Sequence, residues 1–189
     1  VPRGGDGSGE GASSRMNRRI MHRRRFLTTT ALGLPLLGVL PARAQNLAGI
    51  DKPPRLPDDL VKEFVRVGHG EFEAVKRMLD ERPGLLNACY DWGGGDFETA
   101  LEAAGHVGSR DVAEYLLERG ARPNIFVVTM LGHTAVVKAQ LAAFPHLLRA
   151  KGPHGLTLLH HAKRGGEAAK ELLEHFLGLG LTEMKFALP

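Results

Sequence analysis

Two short helical patterns lie back to back in residues 99–124, and they constrain this chain more than any other stretch. Thr99 is a favourable N-cap residue, and Glu102 three positions later completes a capping box. Gly108 separates the two patterns, and Gly120 is a suitable residue to end the second. Each predicted helix has only about 8–10 residues, too few to be stable alone in water. The chain therefore needs neighbouring units that cover the apolar faces of these helices.

Copies of this unit occur before and after it in the chain. A glycine followed by a leucine nine residues later is found at Gly108, and also at Gly70 and Gly132. Residues 83–88 (Pro-Gly-Leu-Leu-Asn-Ala) recur as residues 145–150 (Pro-His-Leu-Leu-Arg-Ala), with the same separation as Gly70 and Gly132. These spacings predict a helix-turn-helix unit repeated about four times, with long and short connectors in alternation.

The motifs resemble those of the ankyrin repeat family. Residues 99–104 align with the family's Thr-Pro-Leu-His-x-Ala helix start but lack its proline and histidine, and residues 118–124 resemble its Gly-Ala-Asp-x-Asn ending. A second copy of the helix start matches at four positions: Thr157, Leu159, His160 and Ala162. The resemblance covers the chain from about residue 60 onward. It implies an all-α fold, a short ankyrin-type helix-turn-helix solenoid of about four repeats in which each unit packs against the next and the first and last act as caps.

The connector at residues 90–98 departs from the family pattern. It holds the single tryptophan, two other aromatic residues, three acids and three consecutive glycines, and it enlarges the hairpin expected after the first unit. Aromatic side chains on a projecting loop often anchor a binding partner, and loops carry function more often than cores. In the alternative interpretation, Trp92 and Phe97 fold back and cover the edge of the second unit. The sequence leaves both interpretations open.

The formal net charge of +4 does not indicate nucleic-acid binding. The excess of Lys and Arg lies entirely in the first 44 residues, and the predicted repeat region contains no basic run. Because nucleic-acid affinity depends on neutralising several phosphates, we expect no nucleic-acid partner. Cys89 is the single cysteine, which excludes an internal disulfide framework, and no activating residue stands beside it in the sequence.

The N-terminal part of the chain carries a targeting pattern. Residues 16–44 resemble a bacterial twin-arginine export signal, in which a basic zone, an apolar run and a small-residue cleavage site follow one another. The matching residues are Arg23, Arg24, Phe26 and Leu27, with Ala42 and Ala44 at the cleavage site. The resemblance predicts a periplasmic or secreted protein without stable membrane insertion after cleavage. An uncleaved membrane anchor is the alternative.

The remaining boundaries follow from composition. Residues 1–15 are rich in glycine and serine and are interpreted as a disordered upstream segment or an expression remnant. Residues 45–58 contain three prolines and are predicted to form an extended linker. Residues 59–189 then form the predicted repeat domain.

Three histidines that lie close together in the sequence, His154, His160 and His161, are the candidates for a metal-binding or hydrolytic site. Zinc ligands come at fixed spacings such as His-x3-His, and no such pair occurs here. In the ankyrin family the position of His160 caps the backbone of adjoining loops. Three other histidines stand beside the glycines between helices and are predicted to be turn residues: His69, His106 and His133. We therefore predict no metal, no cofactor and no catalytic residue.

What the ankyrin resemblance implies is a non-catalytic protein-protein interaction module, a monomer that grips an unidentified partner protein with its connectors and concave face. The candidate contact residues are Tyr90, Asp91, Trp92, Asp96, Phe97, Glu98, Phe126, Thr129, Met130, Lys151 and His154. Two alternatives remain. In the first alternative, the chain is a metal-binding or hydrolytic protein that uses His154, His160 and His161. In the second, it is a companion that stabilises an exported enzyme.

Overall fold

The structure is a computed structural model that describes residues 53–188 of the chain. These residues comprise nearly all of the predicted repeat domain and the few residues that precede it. The predictions of an upstream segment, an export signal with its cleavage site, and most of the linker fall outside the described residues.

Helices account for most of the described residues, so the prediction of a mainly helical fold is confirmed. Four successive helix-turn-helix pairs consist of α1 (Asp58–Val67) and α2 (Phe72–Glu81), α3 (Ala100–Val107) and α4 (Arg110–Glu118), α5 (Ile125–Met130) and α6 (Thr134–Ala143), and α7 (Leu158–Arg164) and α8 (Lys170–Gly178). A small antiparallel hairpin of β1 (Cys89–Asp91) and β2 (Phe97–Thr99) stands between the first and second pairs. None of the helices in residues 53–188 combines the length and the apolar character needed to cross a membrane.

Side-chain caps start three of the four pairs where the sequence indicates. The backbone N–H of Glu102 donates to the Thr99 hydroxyl at 3.2 Å, and the Glu102 carboxylate accepts the Thr99 N–H at 2.9 Å. Asn124 accepts the N–H of Val127 at the start of α5, and Thr157 caps α7 in the same way. These caps satisfy orphan N–H groups, so they fix where each first helix begins.

The recurring proline motif also has one structure in both places. Pro83–Asn87 and Pro145–Arg149 each form a short 3-10 helix directly after the second helix of a pair. Proline stands at the first helical position in both, where its missing N–H costs nothing. The repeat inferred from sequence spacing is therefore present in the backbone.

The first helices of the pairs, α1, α3, α5 and α7, pack against one another in chain order, but α3 also packs directly against α7. Helix α5 has only six residues, all of them buried. Glycines in α3 and directly after it allow the neighbouring helices to approach closely. A Cβ at Gly105 would lie 2.9 Å from the Val127 side chain, and one at Gly108 would lie 2.9 Å from the Arg164 carbonyl oxygen. The second and fourth units therefore touch, whereas the ankyrin resemblance implies contact between neighbours only.

Candidate functional site

Four side chains from four separate elements converge beside the hairpin. His69 follows α1, Glu98 is the middle residue of β2, His106 lies near the end of α3, and His154 lies in the 3-10 turn Pro153–Gly155. One nitrogen or oxygen atom from each of the four lies within 4.8 Å of the others. We call these four residues the histidine-glutamate cluster.

Glu98 is the buried centre of this cluster. Strand alternation turns its side chain inward while the preceding residue, Phe97, remains 59% exposed. The Trp92 indole N–H donates to Oε2 of Glu98 at 2.7 Å. Oε1 lies 2.8 Å from Nε2 of His106, but that contact lacks hydrogen-bond geometry and Oε1 accepts no hydrogen bond from the described residues.

The electrostatic surroundings keep the Glu98 carboxylate ionised. Burial opposes ionisation and would raise its pKa, but the adjacent His106 ring, the Trp92 N–H and the His154 ring together hold that pKa below the ordinary value. An ionised carboxylate with no exposed surface is costly unless its oxygens are paired or bind a cation. One oxygen of Glu98 has such a partner in Trp92, and the other faces the histidine rings.

Two of the histidines are oriented by acceptors on their outer sides. Nδ1 of His69 lies 3.1 Å from the carbonyl oxygen of Arg66 and 3.2 Å from that of Val65, at the end of α1. Because a carbonyl can only accept, Nδ1 carries the proton and the Nε2 lone pair points into the cluster. There it lies 3.1 Å from Nε2 of His106 and 4.0 Å from Oε1 of Glu98.

His154 is held in the same manner by Asp96 of the hairpin. Its Nδ1 lies 2.7 Å from Oδ2 of Asp96, and its backbone N–H donates to Oδ1 at 2.7 Å. This double contact fixes a φ of 59° at His154, a left-handed conformation that side chains with a Cβ rarely adopt. Its Nε2 then lies 3.5 Å from Oε2 of Glu98. Strained residues of this kind often occur at functional sites.

His106 completes the cluster at the end of α3. Its ring packs edge to face against His69 and His154, with ring centroids 4.8 Å and 5.3 Å away. Its own backbone carbonyl accepts a hydrogen bond from Nε2 of His160 at 2.8 Å. His160 therefore positions the end of α3 that carries His106, whereas the ankyrin resemblance implied a contact with the backbone of adjoining loops.

The structure groups His154 with His69, Glu98 and His106 rather than with His160 and His161, which the alternative interpretation had combined with it. His161 is 1% exposed, and its Nδ1 donates to the carbonyl oxygen of Thr157 at 2.8 Å within α7. His154 instead joins His69 and His106, which were interpreted only as turn residues. Sequence reasoning missed this grouping because the four residues come from separate elements with no local spacing motif. The available indication was that histidines stand beside two of the inter-helix glycines.

Several predicted contact residues surround a groove next to the cluster, which we call the hairpin groove. Its lining includes Asp96, Phe97, Phe126, Lys151, Pro153 and Leu188. Phe97 projects at one side and the exposed Lys151 lies at the other, where its Nζ also donates to the Ala187 carbonyl at 2.7 Å. Both Asp96, which bonds to His154, and Pro153, which precedes His154 in its turn, belong to the groove wall.

The rest of the first connector shapes the hairpin. Asp91 accepts hydrogen bonds from the N–H groups of Gly93 and Gly95, which closes the loop. Tyr90 packs edge to face on Trp92 with ring centroids 4.9 Å apart, and the Lys62 ammonium lies over both rings. Most of the predicted contact residues in this connector therefore make contacts within the hairpin itself.

Three of the predicted contact residues are not accessible. Thr129 is 0% exposed and bonds to the Ile125 carbonyl, Met130 is 1% exposed, and Glu98 is 0% exposed. Their assignment to a contact surface is wrong, because α3 and α7 enclose the short α5 and because strand alternation turns Glu98 inward. Phe126 is 8% exposed and reaches the surface only as the floor of the hairpin groove.

No protein-family model, no curated protein and no solved structure matches this chain.

Proposed function

We propose that this chain is a non-catalytic protein-binding module of the ankyrin type, and that its hairpin groove holds a segment of a partner protein. The observation that carries the proposal is the exposure of Phe97, 59% of which is open to solvent at the edge of the groove. A large aromatic side chain beside a partly apolar concave surface is a typical anchor for a protein partner.

The lining of the groove supports a peptide as its occupant. Phe97, Phe126 and Leu188 offer apolar contacts, while Asn124 and Lys151 stand at the rim and provide hydrogen-bonding and cationic groups. Apolar centres with polar rims are usual where protein segments dock. The same lining also includes the carboxylates of Asp96 and Glu102. A segment that combines an apolar side chain with hydrogen-bonding groups therefore fits this arrangement.

The test compares Phe97→Ala with Phe144→Ala, because Phe144 is exposed to nearly the same extent, 56%, and does not line the groove. Each purified variant is cross-linked in periplasmic extract, and the attached peptides are identified by mass spectrometry. We expect Phe97→Ala to lose cross-links that map to Lys151, and Phe144→Ala to keep them. Equal cross-linking by all three proteins would refute the proposal. Trp92 is unsuitable as the probe because its N–H bonds to Glu98.

We also propose that the chain reaches the periplasm by the twin-arginine route. The basis is the order of basic, apolar and small-residue zones in residues 16–44. Replacing Arg23 and Arg24 by lysine keeps the charge but removes the arginine pair. Fractionation of cells should then show the variant retained in the cytoplasm, and undiminished periplasmic accumulation would refute this route.

The alternative role as a companion of an exported enzyme makes a different prediction. A companion would carry a partner that has no export signal of its own, so that partner would fail to leave the cytoplasm when Arg23 and Arg24 are replaced. A partner with its own export signal would still reach the periplasm. The location of the cross-linked protein therefore separates the two roles.

A further inference from the structure

We propose that His69, Glu98, His106 and His154 bind one divalent transition-metal ion, and that Zn²⁺ is the ion this ligand set fits. The proposal does not depend on a protein partner. It rests on how the four ligand atoms are spaced, how each is oriented, and what the buried carboxylate requires.

Three of the four ligand atoms are spaced much as in a tetrahedral zinc site, and the fourth lies within reach of them. Bonds of 2.0–2.2 Å to nitrogen and oxygen place neighbouring ligand atoms about 3.3 Å apart. In the cluster, Nε2 of His106 lies 3.1 Å from Nε2 of His69 and 2.8 Å from Oε1 of Glu98. The separation of His69 Nε2 from the same Oε1 is longer, at 4.0 Å. Nε2 of His154 lies 3.5 Å from the other carboxylate oxygen, Oε2, which also accepts the Trp92 N–H, and a nitrogen of His154 lies within 4.8 Å of the other ligand atoms.

The outer contacts of the rings provide independent support. Metal-binding histidines almost always donate their other N–H to a carboxylate or a backbone carbonyl, which directs the free lone pair at the ion. His69 donates from Nδ1 to the carbonyl oxygens at the end of α1, and His154 donates from Nδ1 to Asp96. In their neutral forms both rings would therefore direct the Nε2 lone pair into the same small volume.

Glu98 supplies the third argument. Its Oε1 is buried and lies close to two imidazole nitrogens, yet it accepts no hydrogen bond from the described residues. A cation held between Oε1 and the ring nitrogens would satisfy that oxygen. Three neutral imidazoles and one carboxylate would leave a net charge of about +1 with Zn²⁺, which suits a partly exposed site better than a lone buried carboxylate.

The ligand types select among ions. Ca²⁺ and Mg²⁺ prefer sites made of oxygen ligands, so three imidazoles disfavour both. Imidazole and carboxylate ligands in a tetrahedral arrangement suit Zn²⁺. Because all four positions are taken by protein atoms, the site corresponds to a structural rather than a catalytic centre. The ion would tie together the end of α1, the hairpin, the end of α3 and the turn before α7.

The test uses the full domain without a polyhistidine tag, freed of metal with a chelator and titrated with ZnCl₂ by calorimetry. We expect one Zn²⁺ per chain, with binding weakened about 100-fold or more in Glu98→Gln and in His106→Gln. Glu98→Gln keeps the volume and the acceptor for Trp92, so it removes only the charge. His146→Gln is the matched control, since His146 is exposed and lies outside the cluster.

A second readout keeps the test decisive if a buried substitution harms folding. His154 is part-exposed on a connector, so His154→Gln should fold. Zn²⁺ should raise the unfolding temperature of the wild type and of His146→Gln, and the rise in His154→Gln should be much smaller. The proposal is overturned if folded wild-type protein shows no saturable binding of one Zn²⁺. It is also overturned if His154→Gln or Glu98→Gln binds as tightly as the wild type.

Discussion

Replacing His161 should remove part of the dependence of stability on pH. His161 is 1% exposed on α7, where its Nδ1 donates to the Thr157 carbonyl and its ring lies 5.1 Å from that of Phe126. The pKa of His161 is lowered from 6.5 to about 4. Burial is the main cause, the bond to Thr157 opposes the change, and the nearby His160 and His106 rings add smaller lowering effects. The folded protein therefore holds this ring neutral.

The sign and size of the effect follow from proton linkage. Because the unfolded chain takes up this proton near pH 6.5 and the folded chain only near pH 4, acid favours the unfolded state between those values. For a shift of this size, the free energy of unfolding should fall by about 2 kcal/mol between pH 7 and pH 5. The full contribution is present above the unfolded pKa and is lost as the pH falls toward 4.

The assay is urea unfolding followed by circular dichroism at several pH values, with chelator present so that metal binding does not contribute. His161→Leu replaces the titrating group with an apolar side chain of similar size. Its curve of stability against pH should be flatter than that of the wild type by about 2 kcal/mol between pH 7 and pH 5. Burial also lowers the pKa of His160, but that group is present in both proteins. Parallel curves would refute the argument.

Two further predictions concern single contacts. Gly132→Ala should lower the free energy of unfolding by well over 1 kcal/mol, because φ is 80° and the new Cβ would lie 2.0 Å from the Ala168 carbonyl oxygen. Gly120→Ala has a φ of 92° but open space around the new Cβ, so it should lower that free energy by only about 1 kcal/mol. Equal losses of the two variants in urea unfolding would contradict this. Trp92→Phe should cost about 1–3 kcal/mol because it removes the N–H donor of the buried Glu98, and an unfolding midpoint equal to the wild type would contradict it.

Local chemistry explains which parts of the fold were predictable from the sequence. The Thr99 capping box, the Asn124 cap and the two proline-initiated 3-10 helices depend on residues within four positions of one another. Such short-range patterns are present in the sequence itself. The number of helix pairs and the hairpin after the first pair follow from the spacing of these marks.

The contact between α3 and α7 and the histidine-glutamate cluster could not be predicted in this way. The contact between α3 and α7 depends on close approaches at single glycines, of Gly105 to Val127 on α5 and of Gly108 to the Arg164 carbonyl of α7. His69 and His154 meet only because two connectors from distant units fold to the same place. No repeating pattern in the sequence indicates that these two connectors come together. The histidines beside the inter-helix glycines were therefore interpreted as turn residues.

The hairpin makes the inward contacts of a packing lid, and it also leaves exposed the aromatic side chain that the proposed binding loop requires. Residues on opposite faces of a strand point in opposite directions. On β2, Glu98 therefore faces the core, where Trp92 donates to it, while Phe97 faces solvent. Asp96 then ties the same hairpin to the turn that carries His154. The inward contacts hold the hairpin in place, so binding of the proposed partner at Phe97 would require little further ordering of the hairpin.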